Sequence, residues 1–383
     1  MPRCVGEVHG IPIQLLDIDA GRGTPLRVEK EMVRDPWPPA SSATSQRPTP
    51  SQISDTDAYW DAQLWSDTLA CLQADWHANA VWWERQLEVV HVQGPSPTPQ
   101  LAKCVDQAEE ATSPSDTPLV HQPCVHRQDQ AQEMTWHDPI SQRTFLLQMP
   151  PRSAALLTDL LPPATPRPRR PHGWEAIQSL VQSVGGADVV LLDPPWPNQS
   201  AARVHRYRRR HGYQTMPDLY DVWRIRPVME TLLPDDPLVA VWVTNHPKVQ
   251  KFVRDKLFPG LGLVTVAVWA WLKVTAPTKG QAPDMVVPLG DGRVRKPYEL
   301  LWIGAKHASM FHGPRRQILA SIPLAHSVKP YVGDLLSQRR GAYVELFARH
   351  VSQGTTLHVS IGKEAVLGNI RPGHDDDDAT QIR

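Results

Sequence analysis

The run Val189-Val190-Leu191-Leu192, followed at once by Asp193-Pro194-Pro195-Trp196, constrains this chain more than any other feature. Four consecutive apolar residues bounded by a polar turn read as a buried strand. The carboxylate of Asp193 then stands just past the strand's C-terminal end, where open α/β sheets place their ligands. Two successive prolines fix φ and remove two backbone donors, so carbonyls without N–H partners are expected beside the acid. Trp196 offers a flat face to a ring. Together these groups suit the acceptance of hydrogen bonds from an exocyclic amine on a heterocycle. The plain alternative is a strand that ends in a proline-rich turn.

Composition bounds the rest. A chain of 383 residues has room for one or two domains with a sizeable core. Lysine plus arginine and aspartate plus glutamate are equal at 40 each, so any grip on a polyanion must come from a local patch. The 39 prolines are about twice the usual share and gather in connecting segments. Cys4, Cys71, Cys104 and Cys124 lie in the N-terminal third without metal-type spacing, so neither a metal site nor a disulfide framework is expected, and a reducing intracellular compartment fits. Met1 to Asp19 lacks a signal-peptide core, and no apolar run reaches the length of a membrane span, so no membrane role is expected.

Composition shifts divide the chain. Residues 1–55 are expected to be a flexible N-terminal region, ending in the Pro/Ser/Thr-rich run Pro36 to Ser54. Residues 56–93 are expected to be a Trp-rich helical segment, one long helix or two short ones: Asp57 to Val92 contains no Pro or Gly, and Trp60, Leu64, Leu72, Trp76 and Trp83 recur at roughly helical spacing. Its tryptophans, Trp65 and Trp82 included, are either a stacking surface for nucleic acid or a packing face, and the large area a tryptophan buries favours packing. Residues 94–140 read as a disordered linker, residues 141–373 as the main domain, and residues 374–383, with Asp375 to Asp378, as a solvated acidic tail. From Phe145 onward, strands are expected at 145–149, 189–192, 238–243, 264–271, 300–303, 344–347 and 356–360, with helices between several of them, such as Pro247 to Leu257. That alternation predicts an α/β fold with a mostly parallel sheet.

Six blocks carry a resemblance beyond the tetrapeptide. Asp193-Pro-Pro-Trp runs on to Asn198, Ser200, Arg203, Arg206 and Tyr207. Trp242-Val-Thr-Asn245 closes the next strand, and Trp269-x-Trp271-x-Lys273-Val274 the one after it. Then come Lys296-Pro-Tyr-Glu299, His326-Ser-x-Lys329-Pro330 and Glu345-Leu-Phe-Ala-Arg349. In this order they resemble the methyltransferase-like adenine N-6 methyltransferases with the Asp-Pro-Pro-Trp motif, and look most like the methyltransferase-like protein four branch.

The resemblance implies a Rossmann-like, S-adenosylmethionine-dependent methyltransferase sheet with helices on both faces, preceded by a mostly helical or disordered N-terminal region. In that family the catalytic loop precedes the main cofactor strand, so the lack of a Gly-x-Gly-x-x-Gly run is no objection. Asp193 and the Pro194 carbonyl would accept hydrogen bonds from the adenine amine, localising its lone pair as the transition state forms. Pro195 and Trp196 would shape the base pocket, which only an unpaired or flipped-out adenine can enter. Asn198, Ser200, Arg203, Arg206 and Tyr207 would meet the nucleic acid, with the cluster Arg203 to His211 gripping phosphates. The cofactor would be held by Lys329 at its methionine carboxylate or a ribose hydroxyl, by a loop shaped by His326, and by Arg349 and His350 at its sugar. Asp159, followed by Leu160, resembles the family's acid near the cofactor, or is a capping aspartate. One departure stands out: the family's closing Gly-Asn-Glu or Gly-Asn-Gln is here Gly362-Lys363-Glu364, which replaces a side chain that donates and accepts by one that only donates.

The expectation is therefore an enzyme that methylates N-6 of adenine in small nuclear RNA or in DNA, located in the nucleus with the cytoplasm as the alternative, and without an indicated obligate protein partner. A degenerate nucleic-acid-binding subunit is the rival; the Gly-Lys-Glu change is its one point of support. A methyltransferase for a small-molecule or glutamine amine shares the Pro-Pro logic but lacks the other blocks.

Overall fold

The apolar run before Asp193 forms a strand that is buried at every residue from Ala187 to Leu192. The structure, a computed structural model, describes residues 3–16, 26–29, 60–79, 82–83, 90–93, 100–110, 120–161, 170–197, 215–275, 281–287, 296–323, 328–337 and 341–372. Its N-terminal elements are β1 (Arg3–Val8), β2 (Ile11–Leu15), β3 (Leu26–Glu29), α1 (Ala62–Ala78), β4 (Val90–Gln93) and α2 (Leu101–Glu110). Next come β5 (Cys124–His126), β6 (Gln132–Asp138), β7 (Arg143–Met149), β8 (Ser153–Leu157), α3 (Trp174–Ser183), β9 (Ala187–Leu192), α4 (Arg226–Leu232) and β10 (Leu238–Val243). The remainder comprises α5 (Pro247–Phe252), β11 (Val264–Lys273), β12 (Tyr298–Ala305), β13 (Arg316–Ser321), β14 (Ala342–Leu346), β15 (His358–Gly362) and β16 (Ile370–Pro372).

Two units are built from these elements, one from Met1–Ser96 with Val243–Leu335 and the other from Pro97–Trp242 with Leu336–Arg383. In the second, the strand order is β10-β9-β14-β15-β8-β5. Every neighbouring pair from β10 to β8 is parallel, and β5 closes the edge antiparallel. β8, β9, β10, β14 and β15 are buried at every position, the pattern of strands covered on both faces. A smaller antiparallel sheet, β16-β7-β6, shares a core with α2: Leu101, Cys104 and Val105 meet Trp136, Phe145, Ala348, Val351, Ala365 and Val366.

Asp138, at the end of β6, ties α2 into this core. Fully buried, it accepts hydrogen bonds from Gln100 N at 2.9 Å, Ile140 N at 3.0 Å and Ser141 Oγ at 2.6 Å. The first of these satisfies a donor at the start of α2 that the helix itself cannot. Burial pushes the Asp138 carboxyl up, but the hydrogen bonds from Ser141, Gln100 and Ile140 outweigh it and hold the group below its ordinary range. Burial, with Asp138 beside it, pushes the Cys104 thiol up to about 12, so this cysteine stays a thiol that packs.

The other unit orders its strands β1-β2-β13-β11-β12, with β2, β13 and β11 mutually parallel and β1 and β12 antiparallel to their neighbours. β3 and β4 form a separate parallel pair. His9 and Gly10, with φ of 52° and 75°, make the two-residue turn between β1 and β2. Helix α1 is capped by Asp61, which accepts from Leu64 N at 2.8 Å, and buries Leu64, Trp65 and Leu72. Trp65 stacks on Tyr298 of β12 at 4.6 Å and on Trp60 at 5.5 Å, while the Arg316 guanidinium lies over Trp60 at 5.1 Å. Trp60, Trp65 and Trp83 are at most 4% exposed, so these three rings pack and do not offer faces to bases.

Several expectations need correcting. The N-terminal region is not mostly helical or disordered among its described residues: β1 and β2 fall inside the stretch read as flexible, and α2, β5 and β6 inside the stretch read as a linker. A bias toward Pro, Ser and Asp outweighed short periodic runs that the sheet and core stabilise. Within the segment read as one long helix or two short ones, the described residues hold a helix over 62–78, a helical pair at Trp82 and Trp83, and the strand β4 from Val90. The segment after Pro247 is helical to Phe252, opens into a π turn over Val253–Leu257 and resumes at Phe258. Strands β8 and β13 were not anticipated, because Ala- and Ser-rich runs carry little intrinsic strand preference. The acidic tail lies outside the described residues.

We expect Asp138→Ala to destabilise the protein by about 2–4 kcal/mol, since several buried donors lose their acceptor. Urea unfolding at neutral pH measures it.

Candidate active site

Parallel pairing puts the C-terminal ends of β8, β15, β14, β9 and β10 on one edge of their sheet. Leu192 is level with Leu346, Leu346 with Ile361, and Gly362 with Leu157. The residues that follow these strands therefore converge: Asp193 after β9, Phe347 to His350 after β14, Lys363 and Glu364 after β15, and Thr158 and Asp159 after β8. Backbone bonds carry the ladder past the strand ends, from Asp193 N to Leu346 O at 3.2 Å, Ala348 N to Ile361 O at 3.0 Å and Thr158 N to Gly362 O at 3.3 Å.

The Asp-Pro-Pro-Trp turn leaves Asp193 partly exposed and buries Pro194 and Trp196. Its carbonyls are not bare, contrary to expectation. Trp196 N donates to Pro194 O at 2.8 Å, and Met216 N donates to Pro195 O at 2.8 Å. One donor comes from the turn itself and the other from Met216, and together they replace those that the prolines lack. Each carbonyl keeps a second lone pair. The Trp196 indole is 4% exposed and donates to Trp242 O of β10 at 2.8 Å, so it walls the turn from beneath instead of presenting an open face.

Beside this turn, Phe347 has φ of 63°, a conformation unusual for a bulky residue. Gly362 permits it. A Cβ there would lie 3.1 Å from Ala348 O and 3.3 Å from Phe347 C. Arg349 pairs with Glu364 at 3.0 Å, their side chains 22% and 28% exposed. His350 is 5% exposed, and Leu160 3%, so both have little surface to offer a ligand.

Asp159 accepts from Leu161 N at 2.7 Å, a local side-chain turn, and pairs with Lys363 at 3.0 Å. Lys363 reaches a second carboxylate, Asp106 of α2, at 2.6 Å. Burial would lower the Lys363 pKa, yet Asp106 and Asp159 together raise it above the usual lysine value. Thr158 Oγ1, adjacent in sequence to Asp159, is buried without a hydrogen-bond partner among the described residues. Asp106 was missed in the sequence. The available signal was the apolar spacing of Leu101, Cys104, Val105 and Ala108.

In the other unit, Lys329 pairs with Glu299 at 3.2 Å, and Lys273 bonds the other oxygen of the same carboxylate. Burial pushes Glu299 upward, but Lys273 and Lys329 prevail and hold its pKa at about 2. Lys273 also lies over the Trp271 ring at 4.7 Å. Asn198, Ser200, Arg203, Arg206, Tyr207, the rest of the arginine cluster and His326 lie outside the described residues. Among the described residues, no group of three His, Cys, Asp or Glu side chains could hold a metal ion, and no helix is long and apolar enough to cross a membrane.

Residues 187–364 match the MT-A70 family model, and this stretch holds β9, β10, β14 and β15 with the Asp-Pro-Pro-Trp turn. The domain over these residues belongs to the MT-A70 family. The chain is 35% identical over 187 residues to the "N6-methyladenosine RNA methyltransferase MTA1" of Pyricularia oryzae, covering 46% of each chain. It is 29% identical over 223 residues to the "N(6)-adenine-specific methyltransferase METTL4" of Homo sapiens, covering 54% of this chain and 41% of the relative. It is 32% identical over 186 residues to the "DNA N6-methyl methyltransferase" of Caenorhabditis elegans, covering 47% of this chain and 46% of the relative. The chain thus spans about half the length of the relatives it matches. Asp106 and Asp159 lie before the first residue of the MT-A70 match.

Glu299→Gln should destabilise the protein by about 1–2 kcal/mol at neutral pH, because two lysines lose a partly buried counter-charge. A depressed carboxylate pKa gives stability that is present above the unfolded value and lost as pH falls through the folded one. Denaturant titrations should therefore show the gap between wild type and variant closing from about pH 4.5 toward pH 2.

Proposed function

We propose that this chain is an S-adenosylmethionine-dependent methyltransferase acting on the exocyclic N-6 amine of adenine in nucleic acid. The observation that carries the reading is the Asp193-Pro-Pro-Trp turn of an MT-A70 domain, held at the C-terminal tip of β9 beside the tip of β14. The relatives' names include both an RNA and a DNA methyltransferase, so both polymers remain substrates in this reading. The methyltransferase domain is assigned to residues 141–373 and the protein to the nucleus.

The side chains at the strand tips fit the cofactor chemically. Asp159, Lys363, Arg349 and Glu364 set carboxylates and cations side by side, each 12–28% exposed, which suits hydroxyls and ring nitrogens that both donate and accept. When bound, S-adenosylmethionine supplies an electrophilic methyl on a positively charged sulfur. Asp193 accepts a hydrogen bond from the adenine amine, and the second lone pair of Pro194 O accepts another, which withdraws the nitrogen lone pair from the ring. An ordinary carboxylate is too weak to deprotonate the neutral amine. Its work is alignment and stabilisation of the positive charge that develops on nitrogen. Trp196, anchored on Trp242 O, keeps the turn in this posture and water away from its underside.

Incubating the protein with labelled S-adenosylmethionine and matched adenine-containing RNA and single-stranded DNA oligomers tests the reading. Adenine N-6 methylation is expected with the wild type, and Asp193→Asn should lower the rate by roughly 10²–10³-fold while cofactor binding persists. Transfer that is undiminished in Asp193→Asn would refute the assigned role.

A further inference from the structure

Lys363 stands where the family pattern has an asparagine, and the structure holds its ammonium between two carboxylates, 2.6 Å from Asp106 Oδ1 and 3.0 Å from Asp159 Oδ2. A carboxamide combines a donor and an acceptor on one side chain, whereas an ammonium only donates. Asp159, adjacent to Lys363, restores the acceptor. Its Oδ1 takes one hydrogen bond from Leu161 N, and its Oδ2 takes the ion pair, so each oxygen keeps lone-pair capacity. An ammonium has three N–H groups, and two carboxylates engage two of them. One donor and one carboxylate edge thus lie next to each other at the tips of β15 and β8, the same pair of functions that an asparagine would present.

Asp106 keeps this arrangement open. Without it, Lys363 would pair with Asp159 alone and satisfy itself on that carboxylate's remaining capacity. With it, the three groups carry a net negative charge, and Lys363 is drawn toward α2. That helix is fixed independently, through its apolar face and the Asp138 contact at its start. Lys363 and Asp159 are 24% and 12% exposed, so a ligand can reach both.

We propose that Asp106 is a positioning residue for the cofactor: it holds Lys363 so that the ammonium and the Asp159 carboxylate jointly replace the family's carboxamide and bind a ribose hydroxyl. The inference rests on the methyltransferase reading above. It makes α2, which precedes the MT-A70 match, a working part of the cofactor site.

Calorimetric titration of the full chain with S-adenosylmethionine, alongside thermal unfolding without cofactor, tests it. Asp106→Asn should weaken binding about tenfold with little change in Tm, the size expected for a misplaced charge-assisted hydrogen bond. Asp106→Glu, which keeps the charge, should recover most of that loss. In a Lys363→Asn background the carboxamide is back, and Asp106→Asn should cost nothing further. A tenfold loss in both backgrounds would mean that Asp106 acts by packing alone, and an unchanged Kd in Asp106→Asn would also overturn the inference. If Asp106→Asn does not fold, Lys363 decides: Lys363→Met must weaken binding more than Lys363→Asn, and equal losses would overturn it. A wild type that binds no S-adenosylmethionine refutes the methyltransferase reading itself, whereas wild-type binding with a silent Asp106→Asn refutes this inference alone.

Discussion

Parallel pairing of five buried strands is the constraint on which the candidate site depends. Because β8, β15, β14, β9 and β10 run in one direction, segments that are far apart in sequence finish at one edge. The backbone bonds from Asp193 N, Ala348 N and Thr158 N then extend the ladder beyond the strands proper. The first residue or two of each following turn are thereby held by main chain, with the precision of a sheet instead of a loop. In the proposed function, the Asp193 carboxylate gains from that rigidity, since small misplacements at a reacting centre are costly.

Local conflict accumulates at the same edge, and each instance has its own compensation. Phe347 adopts a left-handed φ that a bulky residue resists, and the absence of a side chain at Gly362 leaves room for the turn. Two prolines remove donors from the Asp-Pro-Pro-Trp turn, and Trp196 N and Met216 N fill the gap. Lys363 brings a partly buried charge to the tip of β15, and two aspartates pair with it. A sequence that breaks local rules at one place while satisfying them elsewhere is the usual mark of a site kept for function.

Much of this edge was legible in the sequence because its signals are local. Four apolar residues before Asp193, six before Thr244 and the run ending at Phe347 each mark a buried strand without reference to anything distant. What escaped was set by partners far away. Nothing near Asp106 announces that it meets Lys363, and α2 is ten residues long in a segment whose composition reads as a linker. β8 is a five-residue run of Ser, Ala and Leu that becomes a strand because β15 and β5 pair with it on either side. The carbonyls beside Asp193 escape the sequence for a related reason: the donor to Pro195 O comes from Met216, well separated from it along the chain. Trp196, by contrast, was read as a flat face because its type is visible in sequence, whereas its bond to Trp242 O is not.

The shared core of α2 and the strand tips also separates two notions of a domain. The match to the family model draws a border at residue 187, but Leu101, Cys104 and Val105 lie before that border and share a core with Ala348, Val351, Ala365 and Val366 inside it. A fragment trimmed to the border would present those four apolar side chains to water, together with a lysine stripped of both its counter-ions. The stretch that matches the family model is therefore smaller than the packed unit of this chain that contains its strand tips. Anyone dividing it for recombination or grafting should cut upstream of Gln100, where the hydrophobic face begins.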